Sequence, residues 1–205
     1  GEDTFNYSVS ASGETATGLV TMTYTAVNDD PVINSSSFSA DENQTAIGTV
    51  TSTDADSISF SISGSEIEIT SAGVLSFATA PDYETKDSYT ATVTVTDASS
   101  NSATQDITVS INNLNDNNPV ITSASAFSVD ENETSVGTLA ATDADGDTVT
   151  FTLAGTDADS FTLNSPLAFA VAPDYEVKSS YSITVVASDG TNEVEQTVTI
   201  TVNNL

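Results

Sequence analysis

Cysteine, histidine and tryptophan are absent from this sequence of 205 residues, and each absence removes a class of function. Without cysteine the chain has no disulfide bond, no zinc–thiolate site and no thiol nucleophile. Without histidine it has no Ser/His catalytic pair. Paired carboxylates also serve glycosidases, but here no tryptophan or histidine is present to shape a substrate cleft. We therefore expect that the protein is not an enzyme.

Positive charge is almost missing as well. Two basic residues, Lys86 and Lys178, stand against 30 acidic ones, so the formal net charge is −28 at pH 7. Such a surface repels nucleic acid and anionic membranes, and we expect neither as a partner. The longest apolar runs are too short to span a bilayer, so we expect no direct membrane insertion of this part of the chain.

Four short motifs recur in one order at a spacing of about 90 residues, which is typical of tandem repeats. The pairs are ADEN and VDEN (40–43, 129–132), TDAD twice (53–56, 142–145), APDYE twice (80–84, 172–176), and SINNL and TVNNL (110–114, 201–205). We predict one repeat over residues 31–117 and a second over residues 118–205. The spacing is slightly longer late in the second repeat, which indicates a short loop insertion around residues 154–160.

Residues 1–30 resemble only the tail of a repeat. TFNYSVS is followed by a turn signal at Ser12-Gly13 and then by GLVTMTYTAVNDDP. We interpret this segment as the last two strands of a preceding, truncated repeat, and we expect the sequence to be part of a longer chain. Whether these strands pack on their own chain or pair with another chain stays open.

Within each repeat the hydrophobic period is two, the period of β-strands. SYTATVTVT places Tyr89, Ala91, Val93 and Val95 on one face, and SYSITVVAS repeats the pattern in the second repeat. No stretch has a convincing helical period. Each repeat contains about seven such runs, the usual number for an immunoglobulin-like sandwich. The sequence therefore predicts an all-β fold of tandem β-sandwiches, with Val, Ile, Leu and Phe inside and Thr and Ser outside.

The acidic motifs fall at strand ends and in turns rather than in mid-strand. Several strand ends can meet at one pole of a sandwich, and hard cations such as Ca²⁺ take six to eight oxygen ligands from carboxylates, amides and backbone carbonyls. A single DAD or DEN is more often a solvated turn, and only the joint recurrence favours a calcium site. DADGD at 143–147 is not the start of an EF-hand, because the chain lacks the glycine at the sixth position and the glutamate at the twelfth position of that loop.

These residues carry a family resemblance. VSINNLNDNNP (109–119) resembles the signature between cadherin repeats, in which Asp-x-Asn-Asp-Asn-x-Pro follows alternating apolar residues; Asn113 stands where the signature has Asp. DEN, DAD, PDYE and the ASDG that contains Asp189 follow the cadherin order over residues 31–205. The ending VNDDP of the first 30 residues resembles cadherin-like repeats of bacterial surface proteins. The resemblance implies Greek-key sandwiches arranged end to end, with Ca²⁺ bound where repeats meet.

The resemblance also implies ligands residue by residue. The central set would be Glu42, Asp82, Glu84, Asn113, Asn115, Asp116, Asn117, Asp143, Asp145 and Asp189. An N-terminal set would be Asn28, Asp29, Asp30, Asp54, Asp56 and Asp97, with Glu2 and Asp3 as substitutes for missing ligands. A C-terminal set of Glu131, Asp174, Glu176 and Asn204 would need a further repeat to complete it. Asp147 lies outside the sets that the resemblance implies.

Two functions remain open from the sequence. The first is a calcium-rigidified extender or cell-adhesion module of a bacterial surface or secreted adhesin, with calcium ions and neighbouring repeats as partners. The alternative is a module that recognises a polysaccharide or a like domain on another cell, as in homophilic adhesion. We expect an extracellular, cell-surface location for either function.

Overall fold

The structure is a computed structural model that describes residues 2–24, 27–164 and 166–205. The described chain is built of β-strands, with one short 3₁₀ turn and no α-helix. None of the described residues forms a helix with the length and apolar character needed to cross a membrane. The chain divides into two compact units, one of residues up to Pro81 together with Ser88–Ser110, the other of Asp82–Asp87 together with Ile111–Leu205. The repeat boundaries after residues 30 and 117 stay a prediction.

The first element is an isolated antiparallel hairpin of two long strands. It consists of β1 (Glu2–Ala11) and β2 (Glu14–Thr23), which pair only with each other among the described residues. The two-residue turn has positive φ at both positions, 56° at Ser12 and 85° at Gly13. Positive φ at both central residues suits the right-handed twist of a hairpin, and glycine adopts it at no steric cost. The predicted strands and turn are confirmed.

The remainder of the first unit has a larger four-stranded sheet, a three-stranded sheet and a short two-stranded one. Their strand orders are β4-β11-β10-β7, β5-β9-β8 and β3-β6. The bounds are β3 Val32–Ile33, β4 Ser37–Asp41, β5 Ala46–Thr49, β6 Ser52–Thr53, β7 Ile58–Ile62, β8 Ile67–Ile69, β9 Val74–Phe77, β10 Ser88–Asp97 and β11 Ser102–Asn112.

The second unit repeats this topology strand for strand. Its sheet orders are β13-β20-β19-β16, β14-β18-β17 and β12-β15, and β13 runs parallel to β20. The bounds are β12 Val120–Ile121, β13 Ala126–Asp130, β14 Ser135–Gly137, β15 Ala141–Thr142, β16 Thr150–Ala154, β17 Phe161–Leu163, β18 Leu167–Phe169, β19 Ser180–Ser188 and β20 Glu193–Asn203. The 3₁₀ turn, Ala158–Ser160, lies within the loop insertion that the sequence indicates.

The alternation of apolar residues decides which face of each long hairpin is buried. Val93 and Val95 on β10 and Val109 on β11 are fully buried, as are Val185 on β19 and Val198 on β20 of the second unit. Tyr89 and Ala91, predicted on the same inward face, are half-buried. Rings of Phe161, Phe169 and Tyr181 pack on one another in the second core, with centroids 4.4–5.8 Å apart. Such rings add to the area that the strands bury.

The all-β sandwich class is confirmed, but the structure has more strands in each repeat than the sequence indicates. The sequence indicates about seven runs in each repeat, whereas β3 to β11 and β12 to β20 contain nine strands each in the described chain. The additional strands are the two-residue pairs β3-β6 and β12-β15. Two residues are too short a run to show alternation, so periodicity cannot reveal them.

Candidate metal centre

The turn that follows β15 brings three carboxylates of the second unit together. Oδ1 of Asp143 accepts hydrogen bonds from the backbone N–H of Asp145 at 3.0 Å and of Asp147 at 3.3 Å. Gly146 has φ +84°, a conformation that permits the chain to curl tightly around Asp143. As a result, Asp143, Asp145 and Asp147 each present an oxygen within 4.8 Å of the others.

One oxygen of this group has no partner. Oδ2 of Asp143 is buried, and no described residue donates a hydrogen bond to it. A buried polar atom normally has a hydrogen-bond partner. An ionised carboxylate oxygen needs a partner even more, because removing its charge from water without a compensating contact is costly. The oxygen lies within a group of other carboxylates, where a cation would be the favoured partner.

The segment of residues 113–117 wraps around the same turn. Oδ2 of Asp145 accepts hydrogen bonds from the backbone N–H of Asp116 at 3.0 Å and of Asn117 at 2.9 Å, and Oδ1 accepts from the Asn117 amide at 2.7 Å. Asn113 donates to the backbone carbonyl of Asp145 at 2.8 Å. Burial alone would raise the pKa of Asp145, but these hydrogen bonds, those of Asn117 first, outweigh it and hold the pKa below its usual value. Asp145 is therefore held as a carboxylate.

The turn between β19 and β20 supplies a third contact. Asp189 Oδ1 accepts from the backbone N–H groups of Thr191 at 2.7 Å and Asn192 at 2.6 Å. The Asn192 amide donates to Asn115 Oδ1 at 3.0 Å, to the Asn117 carbonyl at 3.1 Å and to Asp189 Oδ2 at 3.1 Å. Burial opposes ionisation of Asp189, yet the Asn192 and Thr191 hydrogen bonds lower its pKa. Asn192 thus joins the turn to the segment of residues 113–117.

Sequence reasoning missed two residues of this arrangement, Asp147 and Asn192. Asp147, which the resemblance does not include, lies beside Asp143 and Asp145, and Gly146 with its positive φ forms the turn between them. A signal for Asn192 existed: an asparagine closes the same turn in the first repeat, where Asn101 donates its backbone N–H to Asp97. The pairing of an aspartate with a following asparagine recurs, but at different spacings, which hides it from a motif search.

Glu84 and Asp116 extend the acidic group. One oxygen of each lies within 4.8 Å of the other, and Glu84 is also within hydrogen-bonding reach of Asp145. An open cavity of about 600 Å³ adjoins them within the second unit. It is lined by Tyr83, Glu84, Thr85, Lys86, Asp87, Asn113, Ala144 and Asp145. Carboxylates this close repel one another by about 1 kcal/mol in water and by more where water is scarce.

Two other predicted ligands of the central set are Asp82 and Glu42. Asp82 accepts hydrogen bonds from the backbone N–H and the hydroxyl of its neighbour Thr85, at 3.2 and 3.1 Å, in a local turn. Glu42 lies in the first unit and is 2% exposed. Their roles as ligands stay predictions.

The N-terminal set is brought together in part. Asp54, Asp56 and Asp97 present oxygens within 4.8 Å of one another. The Asn28 amide donates to Asp97 Oδ2 at 2.5 Å, and this bond, more than the backbone N–H groups of Asn101 and Ser99, lowers the pKa of the buried Asp97. No described contact joins the other predicted members to this group; they are Asp29, Asp30, Glu2 and Asp3.

The C-terminal set also converges within the second unit. Glu131, Asp174 and Glu176 present oxygens within 4.8 Å of one another, and the Asn204 amide donates to Glu176 at 3.3 Å. Glu131 is buried and accepts backbone hydrogen bonds from Tyr175 at 3.3 Å and Leu205 at 2.8 Å. The four residues that the resemblance grouped therefore lie together.

The comparisons with known proteins agree with this architecture. Residues 125–203 match the family model of the cadherin domain, and residues 28–110 match that of a bacterial immunoglobulin domain. The comparison with curated proteins gives no significant match.

Several solved structures of cadherin repeats have the same fold. The chain is similar to mouse cadherin-23 EC22-24, with 25% identity, a TM-score of 0.73, and coverage of 100% of this chain and 74% of that one. It is similar to human protocadherin-24 EC1-2, with 19% identity, a TM-score of 0.73, and coverage of 87% and 100%. It is also similar to the protocadherin gammaB7 EC3-6 cis-dimer structure, with 19% identity, a TM-score of 0.80, and coverage of 98% and 59%. The chain is therefore a tandem of cadherin-like sandwiches, in which residues 125–203 match the model of the cadherin domain and residues 28–110 that of a bacterial immunoglobulin domain.

Proposed function

We propose that the chain is a calcium-binding extender or cell-adhesion module of a bacterial surface or secreted adhesin, and that calcium makes it rigid. The observation that carries the proposal is the unpartnered, buried Oδ2 of Asp143. It lies among Asp145, Asp147 and the segment of residues 113–117, so the oxygen that lacks a donor is placed where other oxygens are available to the same cation.

The chemistry of the donors favours calcium over other metals. The group offers carboxylate, amide and backbone oxygens, and the sequence has no cysteine or histidine. Oxygen-only sites suit Ca²⁺ and Mg²⁺, and a site of many flexible carboxylates suits Ca²⁺ better, because Mg²⁺ demands octahedral geometry and retains water. The residues that would hold the ion in the second unit are Glu84, Asn115, Asp116, Asn117, Asp143, Asp145, Asp147 and Asp189. When bound, calcium would supply positive charge that offsets the repulsion among these carboxylates.

This chain's own residues prepare the site. Hydrogen bonds from Asn117 and Asp116 keep Asp145 ionised and fix its direction, and Asn192 does the same for Asp189. Both carboxylates are thus charged before any ion arrives, which reduces the cost of ordering them. These contacts hold the segment of residues 113–117 against the turns that contain Asp145 and Asn192, and an ion bound to Asp116 would restrain the segment further.

A bacterial, extracellular setting is supported by two independent features. The first is the match of residues 28–110 to a bacterial immunoglobulin domain. The second is the acidic composition without cysteine, which suits a chain that binds calcium at the millimolar levels typical of extracellular modules. Recognition of a polysaccharide or of a like domain stays a prediction, as does the absence of enzymatic activity, because none of the contacts above bears on either.

The test is a calcium titration of the full chain, followed by thermal unfolding and by small-angle X-ray scattering. With a Kd of about 10⁻⁴–10⁻³ M, one site adds roughly 1.4–2.7 kcal/mol at ~10 mM Ca²⁺. We expect a higher unfolding temperature and a narrower distribution of shapes with calcium than with a chelator. An unfolding temperature that is equal in both conditions would contradict the proposal.

A variant separates rigidity from stability. Asp116→Asn keeps the size of the side chain but removes one charge, and we expect it to broaden the shape distribution in millimolar Ca²⁺ while both cores stay folded. Asp159→Asn is the matched control, because Asp159 is exposed and lies outside every carboxylate group of the described chain. If Asp116→Asn scatters like the parent chain in calcium, this segment does not hold the repeats in line.

A further inference from the structure

The second unit has an open, largely apolar groove beside its 3₁₀ turn, about 400 Å³ in volume. Two valines that border it lie mostly in solvent, Val171 at 80% and Val177 at 81% exposure. The buried Phe169 and the half-buried Tyr181 line the side that meets the core. The remaining lining residues are Asp159, Ser160, Ala170, Ala172, Pro173 and Asp174. Single exposed apolar residues are ordinary, but two that border one concave surface are typical of an interaction site.

The first repeat has polar residues where the second repeat has these two valines. Counted from the shared APDYE motif, Thr79 stands at the position of Val171 and Thr85 at the position of Val177. Both threonines are exposed, although a second repeat follows them in the chain. Exposure of these positions is therefore common to both repeats, and it is their apolar character that distinguishes the second repeat.

The loop insertion of the second repeat forms one side of the groove. Five residues join Gly155 to Phe161, whereas two residues join the corresponding Gly64 to Ile67. The backbone N–H of Ala170 donates to the Ser160 carbonyl at 2.8 Å, so the end of the 3₁₀ turn is fixed next to the end of β18. The insertion therefore adds a wall beside the exposed valines.

Lys178 holds this insertion in place, so the groove is formed before any partner binds. Lys178 donates to Oδ1 of Asp157 and lies over the Tyr181 ring, 4.6 Å from its centroid. Oδ2 of Asp157 accepts a hydrogen bond from the backbone N–H of Ser182 at 2.9 Å. The insertion is thereby tied to β19, whose Tyr181 lines the groove. A preformed site avoids the entropic cost of ordering a loop when a partner binds.

The charges around the groove indicate the chemistry of the partner. Asp159 and Asp174 border the groove, and the nearby Lys178 is already paired with Asp157. Asp174 belongs to the C-terminal group of carboxylates, whereas Asp159 is exposed and lies outside every such group of the described chain. A second copy of this chain would bring a net charge of −28 and only two basic residues. Electrostatic complementarity therefore favours a basic partner that this chain cannot supply.

We propose that this groove is a docking site for a basic segment of a different protein. An apolar side chain of that segment enters between Val171 and Val177, and a neighbouring lysine or arginine pairs with Asp159. Burial of the apolar side chain contributes most of the affinity, and the charge pair sets the orientation of the segment and speeds its association. The groove needs no metal ion for this role, so the proposal does not depend on calcium binding elsewhere in the chain.

Two-dimensional NMR of the whole chain at ~0.15 M salt, which screens non-specific attraction, locates binding residue by residue. The probes are peptides Gly-Lys-x-Lys-Gly with blocked termini, in which x is Leu, Phe or Trp. We expect the backbone amides of Asp159, Ala170 and Val177 to shift during the titration, while those of Thr79 and Thr85 stay in place. Peptides with Glu in place of both Lys, or with Ser at x, should shift none of them.

A double variant gives the groove the residues of the first repeat. Val171→Thr with Val177→Thr should leave the fold unchanged, because both side chains are exposed, and should lower the affinity for the probes by about 10-fold or more. Asp159→Asn should weaken binding by about 3-fold and reduce its dependence on salt. The spectrum of each variant shows directly that the repeats remain folded.

Several results would overturn the proposal. In the first, no probe shifts the resonances of the groove. In the second, the Glu and Lys peptides shift them equally, which removes the role of charge. In the third, Thr79 and Thr85 shift as well, which indicates unspecific attraction to an acidic chain. Groove resonances that move with protein concentration in the absence of peptide would also overturn it, because a second copy would then be the partner.

Discussion

Asn117 holds Asp145 with two hydrogen bonds, its side-chain amide donating to Oδ1 at 2.7 Å and its backbone N–H donating to Oδ2 at 2.9 Å. Both oxygens of the carboxylate are thereby fixed by one residue of a segment that lies 28 positions earlier in the chain. The contact keeps Asp145 charged and orders the segment of residues 113–117 without any ion. Calcium, in the proposed function, would add to an arrangement that already exists.

Asp143→Asn tests the unpartnered oxygen. We expect it to reduce the calcium-induced rise in unfolding temperature by the equivalent of about 1–2 kcal/mol, because one anionic ligand of the proposed site is lost. Without calcium the variant should be as stable as the parent chain or more stable, since a repelling charge is removed. Thermal unfolding with calcium and with chelator gives both values. Asp159→Asn, exposed and outside the group, should change neither.

Asn113→Asp should lower the stability of the chain without calcium and increase the stabilisation that calcium gives. Without calcium it loses the hydrogen bond from the Asn113 amide to the Asp145 carbonyl, which costs about 1 kcal/mol, and it adds a charge to an acidic group. With calcium it restores the aspartate of the cadherin signature and adds an anionic ligand. We therefore expect lower stability than the parent chain in chelator and a larger calcium-induced gain, measured by unfolding across a titration. An equal gain in both chains would show that residue 113 is not a ligand.

Asp157 provides a pH-dependent contact outside the acidic groups. Its pKa is lowered first by the hydrogen bond from Lys178 and then by that from the Ser182 backbone N–H, with burial in opposition. Lys178 also lies over the Tyr181 ring, 4.6 Å from its centroid. A lowered folded pKa stabilises the protein above the unfolded value of about 3.9, and this contribution is lost as pH falls through the folded pKa.

Asp157→Asn should therefore cost about 1–2 kcal/mol at pH 7 and progressively less as the pH falls below about 4. Urea unfolding of both chains between pH 7 and about pH 3 measures the difference. Lys178→Gln removes the largest cause of the shift and should flatten the same pH dependence. A difference that stays constant with pH would mean that Asp157 stabilises the fold through packing rather than through charge.

Val9 and Val95 form a matched pair that tests how much burial of a valine contributes to stability. They occupy the same register position in their hairpins, but Val9 is 59% exposed and Val95 is 0% exposed. Val95→Ala should lower the free energy of unfolding by about 2–3 kcal/mol, because it removes buried methyl groups and leaves a cavity. Val9→Ala should change it by less than about 0.5 kcal/mol, as surface substitutions do. Similar losses would show that the face of β1–β2 is already covered.

The repeat pattern and the fold class could be predicted because both depend on the order of residues within short segments of the chain. Alternation marks the long strands, Ser12-Gly13 marks a tight turn, and the recurring acidic motifs mark turns of equal type in both repeats. The parallel pairing of β13 with β20 could not be predicted this way. It depends on where the chain returns after some 70 residues, and period-2 patterning carries no information about a strand's partner.

The sequence by itself determined which residues can bind a hard cation, since only oxygen donors are present and they fall in turns. The tertiary structure decided which of them meet. It brings Asp147 and Asn192 into the group, it leaves Asp82 bound to Thr85, and it buries one oxygen of Asp143 without a donor. It also decided that Val95 is covered and Val9 is not, although both sit in the same local pattern. The physical reason is that local order fixes backbone direction and side-chain facing, whereas coordination and burial depend on segments far apart in the chain arriving at one place.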